Sequence, residues 1–380
     1  KSFDKVVAHW AAKGYKTIAV AITANDVITM VGVVALVDPP LADSSKMITR
    51  IKELGIKVKM LTGDALPIAK EIASQVGIGD RIVEAVIFRK EPNTPRADHI
   101  ITRHDGFAEV LPEDKYNIVK TLQNHEEITG MTGDGVNDAP ALKQAEVGIA
   151  VKSATDVAKQ AASVILLHEG LESIISLITV GRTIHHRITN WVVSKISKTL
   201  FTVIFVCIAY FITGQFIVGA FDMVLLLFII DFVTLTLSTD KVSYSQNPEN
   251  WEINPLVKKG FIIGSLNIAE ALLWLWVGKR YFGIVELGEL HSFGFAILFF
   301  TGISNILLIR TPLRFYEQPI SKTLLYAIIA DAALVWVILS VGLPGFSSLP
   351  MLIIVVSALY LMFCAFFIND WIKTKISWTF

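Results

Sequence analysis

Two patterns of apolar and polar residues divide this chain. Up to about residue 182, short apolar runs alternate with amphipathic stretches of helical spacing. Five of these runs have the length and composition of strands: Ile56–Leu61, Phe107–Val110, Ile128–Thr132, Val147–Val151 and Ser163–Leu167. Such alternation predicts an α/β doubly wound fold with a parallel sheet. Ligands of these sheets bind beyond the carboxyl ends of the strands, so the residues after each run are the first candidates for a site.

The remaining part of the chain contains six much longer apolar segments. Each approaches or reaches the ~20 residues that a helix needs to cross the hydrocarbon core of a bilayer. The segments are Ile196–Thr213, Phe216–Leu237, Phe261–Val277, Phe293–Ile309, Leu324–Val341 and Pro350–Ile368. We therefore expect an all-α bundle of six transmembrane helices. No proline interrupts residues 171–211, which predicts one long helix of about 40 residues that leads into this bundle.

Composition separates the two parts further and excludes some kinds of site. The chain has 34 Lys and Arg and 34 Asp and Glu, and this balance gives no reason to expect a nucleic-acid partner. These charged residues are frequent up to about Arg187 and sparse afterwards, as expected for a water-soluble part followed by a membrane part. Cys207 and Cys364 lie in apolar runs, so we expect neither a disulfide framework nor a Cys-x-x-Cys metal site.

Basic residues around the six segments predict an orientation. An even number of crossings places both ends of the bundle on one side, and the loops of the opposite side hold mainly Lys279 and Arg280. The positive-inside rule therefore predicts that the soluble part is cytoplasmic. The basic residues on the predicted cytoplasmic side are Arg182, Arg187, Lys241, Lys258, Lys259, Arg310, Arg314, Lys322, Lys373 and Lys375.

Candidate chemistry is concentrated in a glycine-rich turn. The segment Thr132–Pro140, with the sequence TGDGVNDAP, places two carboxylates and a carboxamide directly after a predicted strand. Mg²⁺ takes carboxylate and water oxygens as ligands, so this segment predicts a site for magnesium and phosphate. A second turn, Thr62-Gly63-Asp64, follows another predicted strand, and Lys115 begins a helix after Phe107–Val110.

These motifs, preceded by Asp38-Pro39-Pro40, resemble those of the P-type ATPases, ion pumps whose phosphorylation domain belongs to the haloacid dehalogenase superfamily. The resemblance covers essentially the whole chain. It implies the end of a nucleotide-binding domain at residues 1–25, a phosphorylation domain at residues 26–182, and membrane helices five to ten of the family at residues 183–380. The family carries its phosphorylated aspartate in an Asp-Lys-Thr-Gly-Thr segment, which this sequence does not contain.

The resemblance also implies roles for the residues of the glycine-rich turn. Asp134 would hold Mg²⁺, with Asp138 as a second metal ligand that can face the same site from one helical turn away. Asn137 would support the magnesium shell. Lys115 would neutralise charge on the transferred phosphoryl group, because positioning and electrostatics dominate this chemistry.

The earlier motifs are expected to contact ATP and its phosphoryl group. Thr62 and the backbone N–H of Gly63 would hydrogen-bond the phosphoryl oxygens. Asp64 belongs to the same catalytic turn and could also cap the helix that follows it. Asp38 is assigned with Thr62 and Asp64 to the ATP-binding side of the site. The stretch Arg81–Asp105 carries no motif and is interpreted as a variable loop.

One aspartate within the second apolar segment is the candidate for ion transport. Asp231 lies ~5 Å from the middle of that segment, and charged groups inside a bilayer are costly and usually functional. The eleven residues that begin at Asp231 resemble the corresponding helix of plasma-membrane proton pumps, type IIIA, in which an aspartate carries the proton. Ile230 stands where that family commonly has asparagine, and Phe201 where plant and fungal pumps have arginine. Lys195 and Lys198 could supply the missing positive charge, although interfacial anchoring is the favoured interpretation.

Other polar residues of the membrane part are weaker candidates. Glu270 and Asp331 lie inside apolar segments and could add a cation site. Asp222 is close to the predicted outer boundary and is expected to be in contact with water. Asn267 and Asn305 are interpreted as hydrogen-bonding groups between helices.

The resulting hypothesis is the carboxyl-terminal part of an ATP-driven pump that exports H⁺ across the plasma membrane through an aspartyl-phosphate intermediate. Mg²⁺ would be its cofactor and ATP its substrate. The chain alone is expected to be inactive, and the preceding part of the same pump would be its partner in the bilayer. A P-type pump for Na⁺, K⁺ or Ca²⁺ is the first alternative. A non-catalytic membrane protein with a degenerate haloacid dehalogenase-like domain is the second.

Overall fold

The computed structural model describes residues 2–24, 27–92, 94–168, 170–249, 252–343 and 346–375. The chain forms two compact units. The soluble unit consists of Lys1–Ile178 with Gln246–Pro248, and the membrane unit consists of Thr179–Ser245 with Glu249–Phe380. The two units differ in composition, since charged residues are frequent in the first and sparse in the second.

The soluble unit alternates strands and helices after an initial helix and hairpin. Its strands are β1 (Lys16–Ala24), β2 (Val27–Leu36), β3 (Met60–Leu61), β4 (Ile82–Glu84), β5 (Gly106–Ala108), β6 (Gly130–Gly133), β7 (Val147–Ala150) and β8 (Val164–Ile165). Its helices are α1 (Ser2–Ala11), α2 (Ser44–Glu53), α3 (Leu66–Val76), α4 (Val86–Arg89), α5 (Pro95–Arg103), α6 (Pro112–Asn124), α7 (Ala139–Gln144) and α8 (Asp156–Ala161).

Six of these strands form two parallel sheets of three strands each, in the orders β3-β5-β4 and β6-β7-β8. All of their pairings are parallel, as the alternating pattern predicts. The strands are shorter than predicted, and the run from Ile56 contributes only Met60 and Leu61 to β3. The carboxyl ends of β3, β5 and β6 lead into Thr62, Glu109 and Asp134, so the parallel pairing positions the candidate site.

One prediction for the soluble unit was wrong, and a second stays a prediction. The stretch Arg81–Asp105 is not a loop, because it contains β4, α4 and α5 within its described residues. Its apolar residues Ile82, Phe88 and Ile101 are buried in the core, so this segment packs as part of the folded unit. The domain boundary predicted after residue 25 lies outside the described residues, but β1 and β2 on either side of it pair as one antiparallel hairpin. A division at that point separates two paired strands.

Among the described residues, six helices that lie wholly or mostly in the membrane unit are long and apolar enough to span a bilayer. The helices are α9 (Glu172–Thr213), α10 (Ala220–Thr236), α11 (Ile253–Tyr281), α12 (Leu287–Ile309), α13 (Lys322–Val341) and α14 (Met351–Phe363). A 3₁₀ turn, Leu237–Thr239, extends α10, while a π-helix at Cys364–Asn369 and the short α15 (Asp370–Lys375) continue α14. The long helix predicted from the absence of proline is confirmed, with 42 residues in α9.

Helix α12 is the centre of the membrane unit. Of its most apolar stretch, 89% is buried inside the protein, compared with 17–44% for the other five spans. Small residues allow helices to approach closely elsewhere in the bundle. A Cβ on Gly260 would lie 2.6 Å from Ile196, and one on Gly264 would lie 2.9 Å from Leu200, so α11 packs against α9 through these two glycines. This approach places polar residues of α9, α11 and α12 near one another.

Candidate functional site

The glycine-rich turn after β6 is organised around the carboxylate of Asp138. The backbone N–H groups of Asp134 and Gly135 both donate to Asp138 Oδ2 over 3.1 Å. A short 3₁₀ turn at Val136–Asp138 brings this side chain back over the end of the strand. A Cβ on Gly133 would lie 2.5 Å from the Asp138 Cβ, so glycine is required there for the carboxylate to approach. Asp138 is therefore buried, with 4% of its surface exposed.

Lys115 reaches the same carboxylate from helix α6. Its Nζ lies 2.6 Å from Asp138 Oδ1, and only 18% of the lysine side chain is exposed. Burial works against ionisation of Asp138, but the hydrogen bonds from Lys115 and from the two turn N–H groups outweigh it and hold the pKa of Asp138 below its ordinary value. The pair is thus charged at neutral pH, with the lysine ammonium fixed at the end of β6.

Two residues that the sequence analysis missed fix the start of α6. Asp114 accepts a hydrogen bond from the N–H of Leu111 over 2.8 Å, which caps the helix one residue before Lys115. Arg89 then donates to both carboxylate oxygens of Asp114, at 3.2 and 2.5 Å. Asp114 is almost fully buried. An acidic residue three positions after a helix start is a recognisable capping signal, whereas its arginine partner, 25 residues earlier, could not be identified from local sequence.

Asp134 itself is the exposed acid of this turn. Within the part of the chain that the structure describes, its carboxylate accepts no hydrogen bond and forms no ion pair, while its carbonyl oxygen accepts from Thr155 N–H at 2.8 Å. Asn137 is also exposed, on the same turn. A carboxylate with open coordination positions, next to a carboxamide, fits Mg²⁺, which is usually held by one or two carboxylates together with water and substrate phosphate.

Asp138 differs from Asp134 in its hydrogen bonds. Both of its carboxylate oxygens accept hydrogen bonds, one from Lys115 and the other from the turn. In this structure Asp138 therefore shapes the turn and holds Lys115, and its role as a second metal ligand stays a prediction. Among the described residues, no group of three or more His, Cys, Asp or Glu side chains forms a ready-made metal site. A magnesium ion here would depend on Asp134 and on ligands from substrate and water.

The second turn, Thr62-Gly63-Asp64, is attached to the end of strand β5. Thr62 N–H donates to Phe107 O over 3.1 Å, and Val110 N–H donates back to Thr62 O over 3.0 Å. The Thr62 hydroxyl accepts from Asp64 N–H at 3.1 Å and so stabilises the turn. Gly63 is exposed, and a Cβ there would meet only Val110 O, at 3.9 Å.

Asp64 is not the helix cap that was considered. Helix α3 begins at Leu66, and Ala65 occupies its N-cap position without a side-chain hydrogen bond. The Asp64 carboxylate instead lies 2.5 Å from Lys16 Nζ on strand β1. Lys16 is 60% exposed, so this ion pair is open to competition from a ligand.

The predicted residues are only partly brought together by direct contact. Asp134, Asp138 and Lys115 form one cluster, and Thr62 with Gly63 and Asp64 forms a second turn at the end of β3. Asp38 lies exposed in the loop after β2. Among the described residues, no hydrogen bond or ion pair joins Asp38 to either turn.

In the membrane unit, Asp231 pairs with two lysines of helix α9. Its Oδ1 lies 2.7 Å from Lys195 Nζ and 3.7 Å from Lys198 Nζ. Lys198 is the more buried lysine, with 15% of its side chain exposed. Both lysines therefore lie where the alternative interpretation, a positive partner for Asp231, places them, while interfacial anchoring stays a prediction. Phe201, by contrast, is buried in the apolar core of the bundle.

Asp222 also differs from its prediction. Instead of lying open to water, it is 3% exposed at the start of α10. It accepts from Gly219 N–H over 2.6 Å, and His291 Nδ1 of helix α12 lies 3.2 Å from its Oδ2. The sequence could not reveal this arrangement, because the histidine is 69 residues away along the chain.

Comparison with known proteins agrees with this geometry. Residues 3–146 match the family model of haloacid dehalogenase-like hydrolases. A protein of Methanocaldococcus jannaschii, named "Putative cation-transporting ATPase", is 35% identical over 331 residues, which are 86% of this chain and 41% of that protein. The chain thus spans about two-fifths of this relative. Among the described residues, six apolar helices follow the hydrolase-like domain, and these findings together indicate a multi-pass membrane protein that is similar to a putative cation-transporting ATPase.

Proposed function

We propose that the chain is part of an ATP-driven pump that exports protons through an aspartyl-phosphate intermediate. The observation that carries the phosphoryl-transfer part is the turn after β6, where an exposed Asp134 lies beside a lysine ammonium fixed by a buried carboxylate. The nucleophilic aspartate would come from a segment of the pump that this sequence does not contain. ATP is the proposed substrate and Mg²⁺ the proposed cofactor.

Each residue of the site has a physical task in this proposal. Bound Mg²⁺ would neutralise phosphate charge, with Asp134 as its protein ligand and Asn137 beside it. Lys115 would donate a hydrogen bond to a phosphoryl oxygen. Asp138 would hold the ammonium group of Lys115 in position for this contact. Thr62 and the exposed N–H of Gly63 would hydrogen-bond the same phosphoryl group.

The choice of proton as cargo is supported by the charges around Asp231. One carboxylate faces two lysines there, so the cluster has no negative charge left over to bind Na⁺, K⁺ or Ca²⁺. A proton needs only one oxygen, and nearby positive charge helps to release it. We further propose that the soluble unit faces the cytoplasm and that the membrane is the plasma membrane, on the basis of the flanking lysines and arginines.

A measurement of cation dependence separates the proton pump from its alternatives. The full-length pump is reconstituted in vesicles with Mg²⁺ and ATP, and its ATP hydrolysis is compared with Na⁺, K⁺ or Ca²⁺ present or replaced by a bulky organic cation. We expect full hydrolysis without any of the three ions. A requirement for one of them would identify the pump as a transporter of that ion and reject the proton assignment.

Phosphoenzyme formation tests the catalytic proposal against the non-catalytic one. With ATP labelled at the γ-phosphate, the full-length protein should become labelled only when Mg²⁺ is present. Asp134→Ala should abolish this labelling, whereas Asp156→Ala, which removes an exposed acid in the first turn of α8, should not. Absence of label from the unaltered protein would support the degenerate scaffold, and normal label in Asp134→Ala would reject the magnesium role.

A further inference from the structure

A continuous network of polar side chains crosses the apolar interior of the membrane unit. Asn305 of α12 donates to Ser197 Oγ of α9 over 3.3 Å and accepts from Asn267 of α11 over 3.4 Å. Asn369, the last residue of the π-helix, donates to Asn267 Oδ1 and to Glu270 Oε2, both over 3.2 Å. We call these five residues the amide network. It is separate from the pair of Asp231 with its lysines.

The amide network is deeply buried. Ser197, Asn267, Asn305 and Asn369 are each between 0 and 3% exposed, and Glu270 is partly buried. Polar groups placed in such surroundings destabilise the protein unless they are hydrogen-bonded. Hydrogen bonds between helices explain Ser197, Asn267 and Asn305, and they were predicted for the two asparagines. They do not explain the end of the network formed by Glu270 and Asn369.

At that end, one amide oxygen lacks a hydrogen bond and one carboxylate lacks an ion pair among the described residues. The Oδ1 atom of Asn369 is buried and has no hydrogen-bond partner among the residues that the structure describes. Glu270 accepts a hydrogen bond from the Asn369 amide but forms no ion pair with any described Lys, Arg or His. By contrast, the acids Asp222, Asp231, Asp240 and Asp370 of the same unit each lie within 4 Å of a basic side chain.

The groups that surround Glu270 supply no positive charge either. Tyr360 of α14 donates its hydroxyl to Glu270 O over 3.4 Å, and Cys364 begins the π-helix that faces it. Helix α12, which carries Asn305, contains no lysine or arginine. No described lysine, arginine or histidine pairs with this carboxylate, which lies next to an unpartnered amide oxygen. Such a site favours the binding of a cation from solution.

The π-helix gives this end of the network its geometry. A π-helical turn adds one residue to a helix and rotates the side chains after it, and such turns occur often at functional sites. Here the six residues Cys364–Asn369 form the turn, and its final residue, Asn369, is 1% exposed. The turn therefore directs the Asn369 amide into the bundle, toward Glu270.

We propose that Glu270 and Asn369, supported by Asn267, form a binding site for one monovalent cation. The carboxylate brings a single negative charge, which one monovalent cation balances, and the free Asn369 Oδ1 offers a second oxygen ligand. The cation is either a proton on Glu270 or an alkali ion shared by both residues. This site goes beyond the proposed function, because it requires neither ATP nor the ion pair of Asp231.

Thermal unfolding of the detergent-purified chain, without ATP, tests this site. At pH 8 and constant ionic strength, unfolding midpoints are compared in NaCl, KCl and N-methyl-D-glucamine chloride, and the organic salt is then repeated at pH 6. A ligand that binds only the folded state raises the midpoint, by a few degrees at about 100 times its dissociation constant. A rise with Na⁺ or K⁺ identifies an alkali ion, and a rise only at pH 6 identifies a proton.

Matched variants assign the effect to the site. Glu270→Gln and Asn369→Leu should each lose the cation-dependent shift in midpoint, whereas Glu270→Asp should keep part of it. Asp331→Asn removes another membrane carboxylate that has no ion pair among the described residues, and it should retain the full shift. An unchanged shift in Glu270→Gln would overturn the assignment.

A direct binding measurement on the unaltered chain covers the case in which the variants fail to fold. Equilibrium dialysis with ²²Na⁺ or ⁸⁶Rb⁺ at pH 8 should show one ion bound per chain, or titration in the organic salt should show one proton taken up above pH 6. Neither binding nor proton uptake in the unaltered chain would reject the proposal. Because ATP is absent, such a failure would leave the phosphoryl-transfer proposal untouched.

Discussion

The buried carboxylate of Asp138 accepts hydrogen bonds from three donors, and one of them is the ammonium group of Lys115. Replacement of Lys115 by methionine would leave this carboxylate with its two turn N–H groups and no counter-charge. We expect the free energy of unfolding of the soluble unit to decrease by about 2 kcal/mol. This is less than the loss expected for a fully buried ion pair, because the lysine is partly exposed.

The measurement for this prediction is urea unfolding of the chain, followed through hydrogen exchange of the α6 and β6 amides. Lys120→Met is the matched control, because Lys120 is exposed on the same helix. It should change stability by less than about 0.5 kcal/mol. Equal effects of the two substitutions would show that the Lys115–Asp138 pair contributes nothing.

The lowered pKa of Asp138 predicts a dependence of stability on pH. A carboxyl whose pKa is lower in the folded state stabilises the protein fully above its unfolded pKa, near 3.8, and this contribution is lost as pH falls through the lower folded value. Protection of the β6 amides, corrected for intrinsic exchange, should therefore decrease below about pH 4. In Asp138→Asn this acid-dependent decrease should be smaller. An identical decrease would assign it to other carboxyls, such as Asp105 or Glu146, whose pKa values are also lowered.

Individual site residues were predictable where a motif specifies them and unpredictable where partners are distant. The glycine-rich turn predicted Asp134 and Asp138 together, but their different hydrogen bonding depends on which oxygen faces which donor. That orientation follows from the 3₁₀ turn and from Lys115, 23 residues away. The pairing of Asp231 with Lys195 likewise required the packing of α9 against α10.

The turn that follows β6 depends on one glycine, which a substitution can test. A Cβ on Gly133 would overlap with Asp138, at 2.5 Å from its Cβ and 2.8 Å from its Cγ. Gly133→Ala should displace the carboxylate and release Lys115, so phosphoenzyme formation by the full-length pump should fall well below that of the unaltered protein. Gly130→Ala, where the nearest atom is Val147 O at 3.9 Å, should retain nearly normal labelling. Normal labelling in Gly133→Ala would show that the turn tolerates the added carbon.

The ends of three membrane-unit elements are joined by a buried ion pair. Arg310, at the end of α12, lies 2.9 Å from Asp240 Oδ2, and both side chains are 1% exposed. The guanidinium also donates to the carbonyl oxygens of Gln318 and Pro319, and Asp240 Oδ1 accepts from Ser321 N–H at the start of α13. This network fixes the connection from α12 to α13 against the end of α10.

Removal of one partner of this pair should be strongly destabilising. We expect Arg310→Met to lower the stability of the membrane unit by about 3–5 kcal/mol, because Asp240 remains buried without its counter-charge. Arg314→Met should cost less than about 1 kcal/mol, since that arginine is 36% exposed and lies 3.9 Å from Asp370. Thermal unfolding in detergent measures both. A similar midpoint for the two variants would contradict the importance of the buried pair.

Periodicity identified the elements well where they are long and poorly where they are short. All six membrane helices were predicted, since each needs a long apolar stretch. The strand β4 and helices α4 and α5 were missed, because three to nine residues with mixed polarity carry little periodic signal. The π-helix that directs Asn369 inward has no recognised sequence signature at all.

At the scale of the whole molecule, the candidate phosphate site belongs to the soluble unit and Asp231 belongs to the membrane unit. Helix α9, with 42 residues, carries Lys195 and Lys198, which pair with Asp231. The division into a soluble and a membrane part was predictable from charge distribution alone. The boundary predicted inside the soluble part, after residue 25, stays a prediction, and the pairing of β1 with β2 on either side of it had no local signal in the sequence.

The most direct measurement of the account's central claim records ATP hydrolysis and internal pH together, in vesicles that contain the full-length pump. We predict that addition of Mg²⁺ and ATP acidifies the vesicle interior with the unaltered pump, and that Asp231→Asn abolishes this acidification. Asp222→Asn, which alters the other acid of helix α10, serves as the control and should retain proton transport. Acidification by Asp231→Asn at the rate of the unaltered pump would contradict the account.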